Sequence, residues 1–369
     1  MTLRVTGKVV TPAGVIRQGC IEIVGDRIRA VAEYPTVRDG HWIVPGFVDM
    51  HTHGGGGHTF TTGDAESARQ AADFHLGHGT TTLLASLVSS PFALMREATA
   101  AYRPLVESGV LAGVHFEGPY LSAARCGAQN PEFLRDPSTE ELAELIELGG
   151  GAVRMVTLAP ERDGALEAIK LLVGRGVVAA VGHTDATWAQ TRAAVAAGAS
   201  VGTHLFNGMR PVHHREPGPV VALLDAPNVV CELVADGVHL HDGMLGFATS
   251  VAGPERAALI TDAMAAAGMP DGEYELGGQA VTVADGVARL SRDGAIAGST
   301  LTMDAALRHA VDAGIALSDA CRMVATTPAR AIGLGDRVGA LQTGLRADLV
   351  VLDDDLNVVR VMRAGAWVE

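Results

Sequence analysis

The sequence predicts an α/β fold built from a long alternation of strands and helices. Short apolar runs typical of buried strands recur along its middle, and helical stretches separate most of them. Eight such runs are present: Ile43–Asp49, Thr80–Ser86, Val110–Glu117, Val153–Ala159, Val177–His183, Ser200–His204, Val229–Ala235 and Ala258–Asp262. Near-continuous apolar strands that alternate with helices indicate a parallel sheet, and eight units indicate a closed barrel. We therefore expect a TIM-like (β/α)8 barrel.

The segments between these strands predict helices and one β insertion. The helical stretches include Ala65–His78, Phe92–Ser108, Thr139–Leu148 and Leu166–Arg175. Residues 268–298 depart from the alternation of strands and helices, because they carry hairpin-type turns such as Pro270-Asp271-Gly272. We expect this segment to form a β insertion after the eighth strand.

Both ends of the chain are rich in short β segments separated by turns. These segments are Leu3–Val5, Val9–Thr11, Cys20–Val24, Arg27–Val31, Asp348–Leu352 and Val358–Met362. We expect residues 1–45 and 338–369 to pair into one small β-sandwich domain. Residues 46–337 then form the barrel.

Composition argues against nucleic-acid-binding, membrane-spanning and secreted classes of protein. A net charge of -14 argues against non-specific nucleic-acid binding. No apolar run reaches the roughly 18 residues of a membrane span, and the first residues lack the apolar core of a signal peptide. Four cysteines lie far apart without metal-type or redox-type spacing, which is typical of reduced thiols in a cytoplasmic protein. They are Cys20, Cys126, Cys231 and Cys321.

Residues that can bind metals stand at the ends of the predicted strands. His51 and His53 are two positions apart on an extended segment, so their side chains point the same way. Any one such residue is more typical of an ordinary hydrogen-bonded strand end. The catalytic end of an α/β barrel, however, collects the carboxyl ends of all its strands, and imidazole with carboxylate suits Zn²⁺ or a similar ion. Six candidates converge on this rim: His51, His53, Glu117, His183, His204 and Asp262.

These candidates lie within longer motifs that resemble a known family. The motifs are His-Phe-Glu-Gly-Pro-Tyr at 115–120, Gly-His-Thr at 182–184, Thr-His-Leu-Phe-Asn-Gly-Met at 203–209, Arg-Glu-Pro-Gly at 215–218, Asp-Gly-Val-His at 236–239, Thr-Asp-Ala-Met at 261–264 and Ala-Gly-Ser-Thr-Leu-Thr-Met at 297–303. Together they resemble the amidohydrolase superfamily and, more narrowly, the N-acetylglucosamine-6-phosphate deacetylases. The resemblance covers nearly the whole chain.

The scarcity of lysine supports the narrower resemblance. Many amidohydrolases bridge two metals with a carbamylated lysine at a strand end. The only lysines here are Lys8, in the predicted end domain, and Lys170, in the middle of a predicted helix. Neither can bridge metals at the rim. Glu117 is the available bridging anion, and the deacetylases use a glutamate in this way.

The resemblance also implies roles for the rim residues. Glu117, His183 and His204 hold one metal, and His51 and His53 form a second position with Glu117 bridging and Asp262 nearby. Asp262 acts as the general base that passes a proton from water to the leaving amine. A helix N-cap is the structural alternative for Asp262. The cofactor is one or two divalent ions per chain, with Zn²⁺ favoured over Fe²⁺, Mn²⁺, Co²⁺ or Cd²⁺.

Further residues match substrate contacts of the family. Arg215 and His239 correspond to residues that contact the sugar or its phosphate, and in the homodimers of the family the arginine reaches in from the neighbouring subunit. On sequence alone, a solvated basic turn remains an alternative for Arg215, and an ordinary loop histidine remains one for His239. The other matching positions are Gln129, Asn207, Gly208 and the turn Ile296, Ala297, Gly298, which would touch the acetyl group.

One position departs from the family pattern. Well-known members carry Thr-His-Asn-Pro in the loop after the bridging glutamate, whereas this chain has Ala128-Gln129-Asn130-Pro131. Gln129 can donate a hydrogen bond to the substrate carbonyl but carries no charge. A second metal held by His51 and His53 would compensate for the lost histidine. Cys126 lies in the same loop, where an ordinary free thiol is favoured over a role near the metals.

The resemblance implies hydrolysis of the acetamide of N-acetylglucosamine 6-phosphate to glucosamine 6-phosphate and acetate, within amino-sugar or cell-wall recycling metabolism. One alternative is a deacetylase of another N-acetyl amino sugar phosphate. A second is a non-catalytic scaffold on the same fold, which the complete set of rim residues disfavours. No nucleic-acid or membrane partner is expected.

Overall fold

A computed structural model describes residues 2–35 and 40–369 of the chain. Met1 and residues 36–39, which belong to the predicted end domain, lie outside the described residues. Eight parallel strands with surrounding helices form the expected TIM-like barrel, and strands from both chain ends share a separate sheet. The predicted fold class is therefore confirmed.

The strands occur at both ends of the chain and in alternation with helices between them. In chain order they are β1 (Thr2–Thr11), β2 (Gly14–Val24), β3 (Arg27–Glu33), β4 (Trp42–Pro45), β5 (Phe47–Thr52), β6 (Gly54–Gly55), β7 (His58–Thr59), β8 (Thr80–Leu87), β9 (Gly113–Glu117), β10 (Val153–Leu158), β11 (Val178–Val181), β12 (Val201–Gly202), β13 (Val230–Val234), β14 (Ala257–Ile260), β15 (Gly272–Leu276), β16 (Gln279–Ala284), β17 (Val287–Leu290), β18 (Leu349–Leu352), β19 (Val358–Arg363) and β20 (Ala366–Trp367).

The helices follow the barrel strands and form their outer layer. They are α1 (Ala65–Gly77), α2 (Phe92–Glu107), α3 (Thr139–Gly149), α4 (Ala165–Gly174), α5 (Trp188–Ala197), α6 (Gly218–Asp225), α7 (Asp242–Ala252), α8 (Met303–Asp312), α9 (Leu317–Cys321) and α10 (Thr327–Ala331), with a π-helical turn at Arg322–Thr326 and 3₁₀ turns at Ala123–Arg125 and Pro131–Phe133. Polar caps start several of them; Asp64 accepts hydrogen bonds from two backbone N–H groups of α1. No helix in the described part of the chain is long and apolar enough to cross a membrane.

The barrel sheet runs in the order β5, β8, β9, β10, β11, β12, β13, β14. All eight residues of β8 are buried, because the interior packs one face of each strand and the helices pack the other. Two hydrogen bonds join the chain at the carboxyl ends of the two outermost strands, β5 and β14. Asp262 N–H donates to the His51 carbonyl at 2.9 Å, and His53 N–H donates to the Ala263 carbonyl at 2.7 Å. These bonds set the first and last strand ends side by side.

The end sheet combines both termini in the order β20, β19, β18, β4, β1, β2, β3. Its small apolar core includes Val9, Ile21, Ile43 and Leu349. A third sheet of three antiparallel strands, β15 to β17, lies in the segment predicted as a β insertion. Its apolar side packs on Val88 and Met264, close to the carboxyl ends of β8 and β14.

The prediction of one strand over Ile43–Asp49 is wrong. The chain divides at Gly46: Trp42–Pro45 pairs with the end sheet and Phe47–Thr52 enters the barrel. A Cβ atom at Gly46 would lie 2.3 Å from the Thr81 hydroxyl oxygen, so only glycine permits the chain to pass between the two sheets here. The Pro45-Gly46 pair within the apolar run was the available sequence signal for this crossing.

Candidate active site

The six predicted metal ligands meet at the carboxyl ends of the barrel strands. Each is at most 7% exposed. Their donor atoms form two groups in which all atoms lie within 4.8 Å of one another. One group is Glu117, His183 and His204, and the other is His51, His53 and Asp262.

Glu117 lies between the two groups. Its Oε1 atom is 3.0 Å from His183 Nε2 and 2.9 Å from His204 Nε2. Its Oε2 atom is 3.2 Å from His53 Nε2. The carboxylate therefore faces both sets of imidazoles, as a bridging anion must.

Three of these ligands have an unusual backbone conformation. His183, His204 and Asp262 have φ angles of 45°, 26° and 50°, a left-handed region that non-glycine residues seldom adopt. The regular strands β11, β12 and β14 end just before them. The predicted strands included these residues as their last positions, but the chain turns sharply there and aims each side chain across the barrel mouth. Such conformations concentrate at functional sites.

Hydrogen bonds on the far side of the rings prepare the imidazoles for a cation. The Nδ1–H of His183 donates to the Arg125 carbonyl at 2.8 Å, and that of His53 donates to the Ser86 carbonyl at 3.1 Å. A carbonyl can only accept, so each ring keeps its Nδ1 proton and can offer its Nε2 atom to a cation once that atom is deprotonated. The His183 and His204 Nε2 atoms are 3.1 Å apart. Two nitrogens bound to one tetrahedral Zn²⁺ lie about 3.3 Å apart, so the donor set fits such an ion.

Two buried carboxylates that sequence reasoning missed support this cluster. Glu232 on β13 accepts from His51 Nδ1 at 3.0 Å and from the His204 backbone N–H at 3.1 Å. Asp49 on β5 accepts from the Thr261 hydroxyl at 2.6 Å and from the His51 backbone N–H at 3.2 Å. Both residues interrupt apolar strands, and a charged residue in a buried strand requires partners. A charged residue within each apolar strand was therefore the sequence signal that could have identified Glu232 and Asp49.

The electrostatics of the cluster keep its carboxylates ionised. Burial raises the pKa of Asp262, but the charge of His51 and a hydrogen bond from His53 outweigh it and hold the pKa well below its ordinary value. Burial lowers the pKa of His53, yet hydrogen bonds to Asp262 and Glu117 raise it to about 9. Burial raises the pKa of Asp49 to about 7 against its hydrogen bonds from Thr261 and His51. Burial also raises the pKa of Glu117, but the charges of His51 and His183 hold it well below its ordinary value. Glu117 and Asp262, the two carboxylates at the centre, are therefore anions at neutral pH.

A cavity of about 220 Å³ opens above the cluster. Most of the predicted substrate-contact residues line it, together with Glu117, His183, His204 and Asp262. These lining residues are Gln129, Asn207, Gly208, His239, Ile296 and Gly298. His239 is held in place by Asp236, whose Oδ2 lies 2.7 Å from His239 Nδ1. Burial lowers the pKa of His239, but Asp236 raises it overall.

Other predicted contacts lie away from this cavity. Arg215 is exposed, and its guanidinium contacts the neighbouring His214 at 2.8 Å. Ala297 is buried behind Ile296 and Gly298 and does not line the cavity. Cys126 is a half-buried free thiol whose sulfur lies 3.9 Å from the Gly127 carbonyl oxygen.

Gln129 adopts a specific orientation beneath the cavity. Its side-chain oxygen accepts from the Ser89 backbone N–H at 2.6 Å, so its NH₂ group donates to Glu117 Oε2 at 2.7 Å. Gln129 therefore holds the central carboxylate in place as well as lining the cavity. A histidine at position 129 can carry a positive charge, whereas Gln129 supplies only a neutral hydrogen-bond donor.

An α/β barrel with imidazole and carboxylate ligands at its carboxyl rim defines a class of metal-dependent hydrolases. The chain belongs to the amidohydrolase family, whose model matches residues 42–368. Within that family it matches deacetylases of sugar phosphates. The resemblance that the sequence motifs indicated is thereby confirmed.

Three of these relatives illustrate the match. An aspartate-to-alanine variant of N-acetyl-D-glucosamine-6-phosphate deacetylase from Mycobacterium smegmatis, in complex with N-acetyl-D-glucosamine-6-phosphate, is 48% identical, with a TM-score of 0.96 over 99% of both chains. N-acetylglucosamine-6-phosphate deacetylase from Lysinibacillus sphaericus is 35% identical over 95% of this chain and 91% of its own length. N-acetylgalactosamine-6-phosphate deacetylase from Escherichia coli O157:H7 is 38% identical over 97% of both.

Proposed function

We propose that this enzyme hydrolyses the acetamide of N-acetylglucosamine 6-phosphate to glucosamine 6-phosphate and acetate, in amino-sugar metabolism. The observation that carries this proposal is the cavity of about 220 Å³ above Glu117, His183 and His204, with Asp262 at its edge. It brings a metal-type donor set and an ionised carboxylate to one small space. The relatives of known activity supply the identity of the sugar.

We propose that the two donor groups hold two Zn²⁺ ions, with Glu117 shared between them. The mixture of four histidines and two carboxylates suits zinc, although Fe²⁺, Mn²⁺, Co²⁺ and Cd²⁺ accept the same ligands. Bound divalent ions lower the pKa of a coordinated water to about 7 and polarise the amide carbonyl. His51 and His53 complete the second position and offset the loss of charge at Gln129.

Asp262 is the proposed general base and acid. Its ionised carboxylate lines the cavity, so it can accept a proton from the attacking water and return it to the leaving amine. His239, braced by Asp236, presents its Nε2 side to the substrate sugar or its phosphate. Ile296 and Gly298 border the space for the acetyl group, and Asn207 and Gly208 border that for the sugar.

We further propose a homodimer in which Arg215 of the partner subunit binds the substrate phosphate. Arg215 has no carboxylate partner among the described residues and does not line the cavity of its own chain. An exposed guanidinium is well suited to grip phosphate through paired hydrogen bonds. A monomer in sedimentation experiments would contradict this arrangement.

The four free cysteines support a reducing, cytoplasmic location.

The activity is tested by acetate release from a panel of substrates. We expect N-acetylglucosamine 6-phosphate to react with at least about tenfold higher kcat/KM than unphosphorylated N-acetylglucosamine, because charged hydrogen bonds to the phosphate are lost without it. A chelator should abolish the reaction, and Zn²⁺ or Mn²⁺ should restore it. Equal rates on the unphosphorylated sugar, or activity that persists under chelation, would contradict the proposal.

N-acetylgalactosamine 6-phosphate is the second candidate substrate. The specific observation in its favour is the Escherichia coli O157:H7 relative, which is 38% identical, a value between the 35% of the Lysinibacillus sphaericus enzyme and the 48% of the Mycobacterium smegmatis enzyme. The two sugars differ only in the configuration of one hydroxyl group. Including both in the acetate assay ranks them directly by kcat/KM.

Removing the charge of Glu232 should weaken metal binding at the position of His51. The carboxylate fixes the Nδ1–H tautomer of His51 and increases the basicity of its Nε2 atom. We expect Glu232→Gln to lower Zn²⁺ affinity at that position by about 10–100-fold, as measured by calorimetric titration. The wild type should bind two ions per chain.

This titration also tests the compensation proposed for Gln129. If the wild type reached full acetate release with one ion per chain, the second ion would have no compensating role. If Glu232→Gln bound both ions as tightly as the wild type, Glu232 would not support the site.

A further inference from the structure

A second cavity lies at the opposite end of the barrel from the active site. Its volume is about 100 Å³, and it is bordered by the beginning of β8, the segment before β9, the beginning of β10 and the carboxyl-terminal residues that join the end sheet. Four arginines line it: Arg154, Arg337, Arg346 and Arg363. In a chain with a net charge of -14, composition alone does not produce such a concentration of positive charge.

The strand geometry directs Arg154 into this cavity. The pairing of β10 with β9 shifts register between Val153 and Met155, so Arg154 is the extra residue of a β-bulge. Both neighbours in the strand are buried, whereas Arg154 is partly accessible. A Cβ atom on Gly113 would lie 2.1 Å from Arg154 Cγ, so this glycine makes room for the stem of the arginine.

Across residues 2–35 and 40–369, no side chain or backbone group pairs with the guanidinium of Arg154. Its Nε atom is buried and forms no hydrogen bond within the described residues. Buried polar groups are nearly always hydrogen-bonded, so this Nε atom lacks the partner that such an atom normally has. Arg337 is exposed at the cavity mouth and likewise has no ion pair in the described part of the chain.

The other two arginines are only partly neutralised. Arg346 pairs with Asp348, whose Oδ2 lies 2.7 Å from Arg346 Nε. Arg363 donates to the carbonyl oxygens of Gly109 and Val110, which carry no net charge. The cavity lining thus has four guanidinium groups and no carboxylate, and Asp348 and Asp73 offset only part of this charge.

Burial and the positive charges of neighbouring arginines lower the pKa values of Arg154 and Arg363. Burial lowers the pKa of Arg154, and the nearby charge of Arg337 lowers it further. Burial also lowers the pKa of Arg363, and Arg346 adds to the effect while Asp348 and Asp73 oppose it. An anion in the cavity would relieve this repulsion.

We propose that this cavity binds a small oxyanion of the phosphate type, either free phosphate or the phosphate group of a sugar phosphate. A space of about 100 Å³ admits such an anion, and guanidinium groups match its oxygens with paired hydrogen bonds. The surplus of guanidinium groups over carboxylates favours a doubly charged anion over chloride or a single carboxylate. A bound anion would connect barrel strand β10 to the carboxyl-terminal segment and so stabilise the junction between barrel and end sheet.

Calorimetric titration of the holoenzyme with inorganic phosphate tests this site. We expect Arg337→Gln and Arg154→Gln each to weaken phosphate binding by at least about tenfold, because each removes a charged hydrogen-bond donor. Arg17→Gln is the matched control: it removes the same charge from an exposed arginine on β2 that does not line the cavity. The control should bind phosphate as the wild type does.

Arg337 is exposed, so its variant should fold even if the bulged Arg154 variant does not. Phosphate should also raise the Tm of the wild type and the control more than that of Arg337→Gln. Phosphate binding in Arg337→Gln equal to that of the wild type would overturn the proposal. A wild type that binds no phosphate beyond any active-site ion would overturn it as well.

A parallel titration with glucosamine 6-phosphate distinguishes the two sources of the anion. If the binding that depends on Arg337 is tighter for glucosamine 6-phosphate, the site takes a sugar phosphate. If it is as tight or tighter for inorganic phosphate, the site takes the free anion. If neither ligand shows binding that depends on Arg337, the site does not exist.

Discussion

Replacing Asp262 with asparagine is expected to lower kcat for acetate release by about 10²–10⁴-fold, the usual contribution of a positioned acid or base. Asparagine keeps the shape of the side chain but cannot accept a proton. The native carboxylate is ionised, because His51 and His53 together hold its pKa well below the ordinary range despite burial. It also lines the cavity where the amide must lie.

Measuring the metal content of Asp262→Asn shows whether the variant has lost a general base or a metal ligand. Glu117, His183 and His204 form a complete group without Asp262, so Asp262→Asn should retain at least one ion per chain by elemental analysis. Asp304→Asn is the matched control, because Asp304 is also buried and pairs with Arg308 at 2.9 Å, on helix α8. If Asp262→Asn kept more than a tenth of the wild-type kcat, Asp262 would not be the base.

The convergence of the strand-end residues could be predicted from sequence because barrel geometry brings them together. A parallel barrel places the carboxyl ends of all its strands on one rim, so identifying eight apolar runs was enough to bring His51, Glu117 and His204 into one site. The exact ends of the strands could not be read in this way. At His183, His204 and Asp262 the chain adopts positive φ angles, and apolar pattern carries no information on that turn.

The supporting residues were harder to predict because their roles depend on contacts between distant strands. Glu232 and Asp49 lie inside apolar runs, and only the folded barrel shows that they brace His51 from two sides. The same is true of Arg154, whose direction is set by a bulge between two strands. Sequence pattern reports which face a residue occupies in a regular strand, and a bulge removes that regularity.

Neutralising Glu117 should have the largest effect on the site, because this carboxylate touches both donor groups. Its oxygens lie 2.9–3.2 Å from the nearest Nε2 atoms of His183, His204 and His53, and the Gln129 amide donates to it at 2.7 Å. Glutamine in its place offers one neutral oxygen where the two proposed ions would require an anion. We expect Glu117→Gln to bind less than one ion per chain and to lose at least about 10³-fold in kcat/KM.

Two comparisons establish that this effect arises from the charge at the metal site. Glu141→Gln removes a carboxylate that pairs with Arg135 at 2.9 Å on helix α3, and it should leave metal content and acetate release unchanged. Glu117→Asp retains the anion at a shorter reach, so it should bind more metal than Glu117→Gln and recover part of the activity. If Glu117→Gln retained two ions per chain, the carboxylate would not bridge them, because a neutral amide could not replace the charge that both ions share.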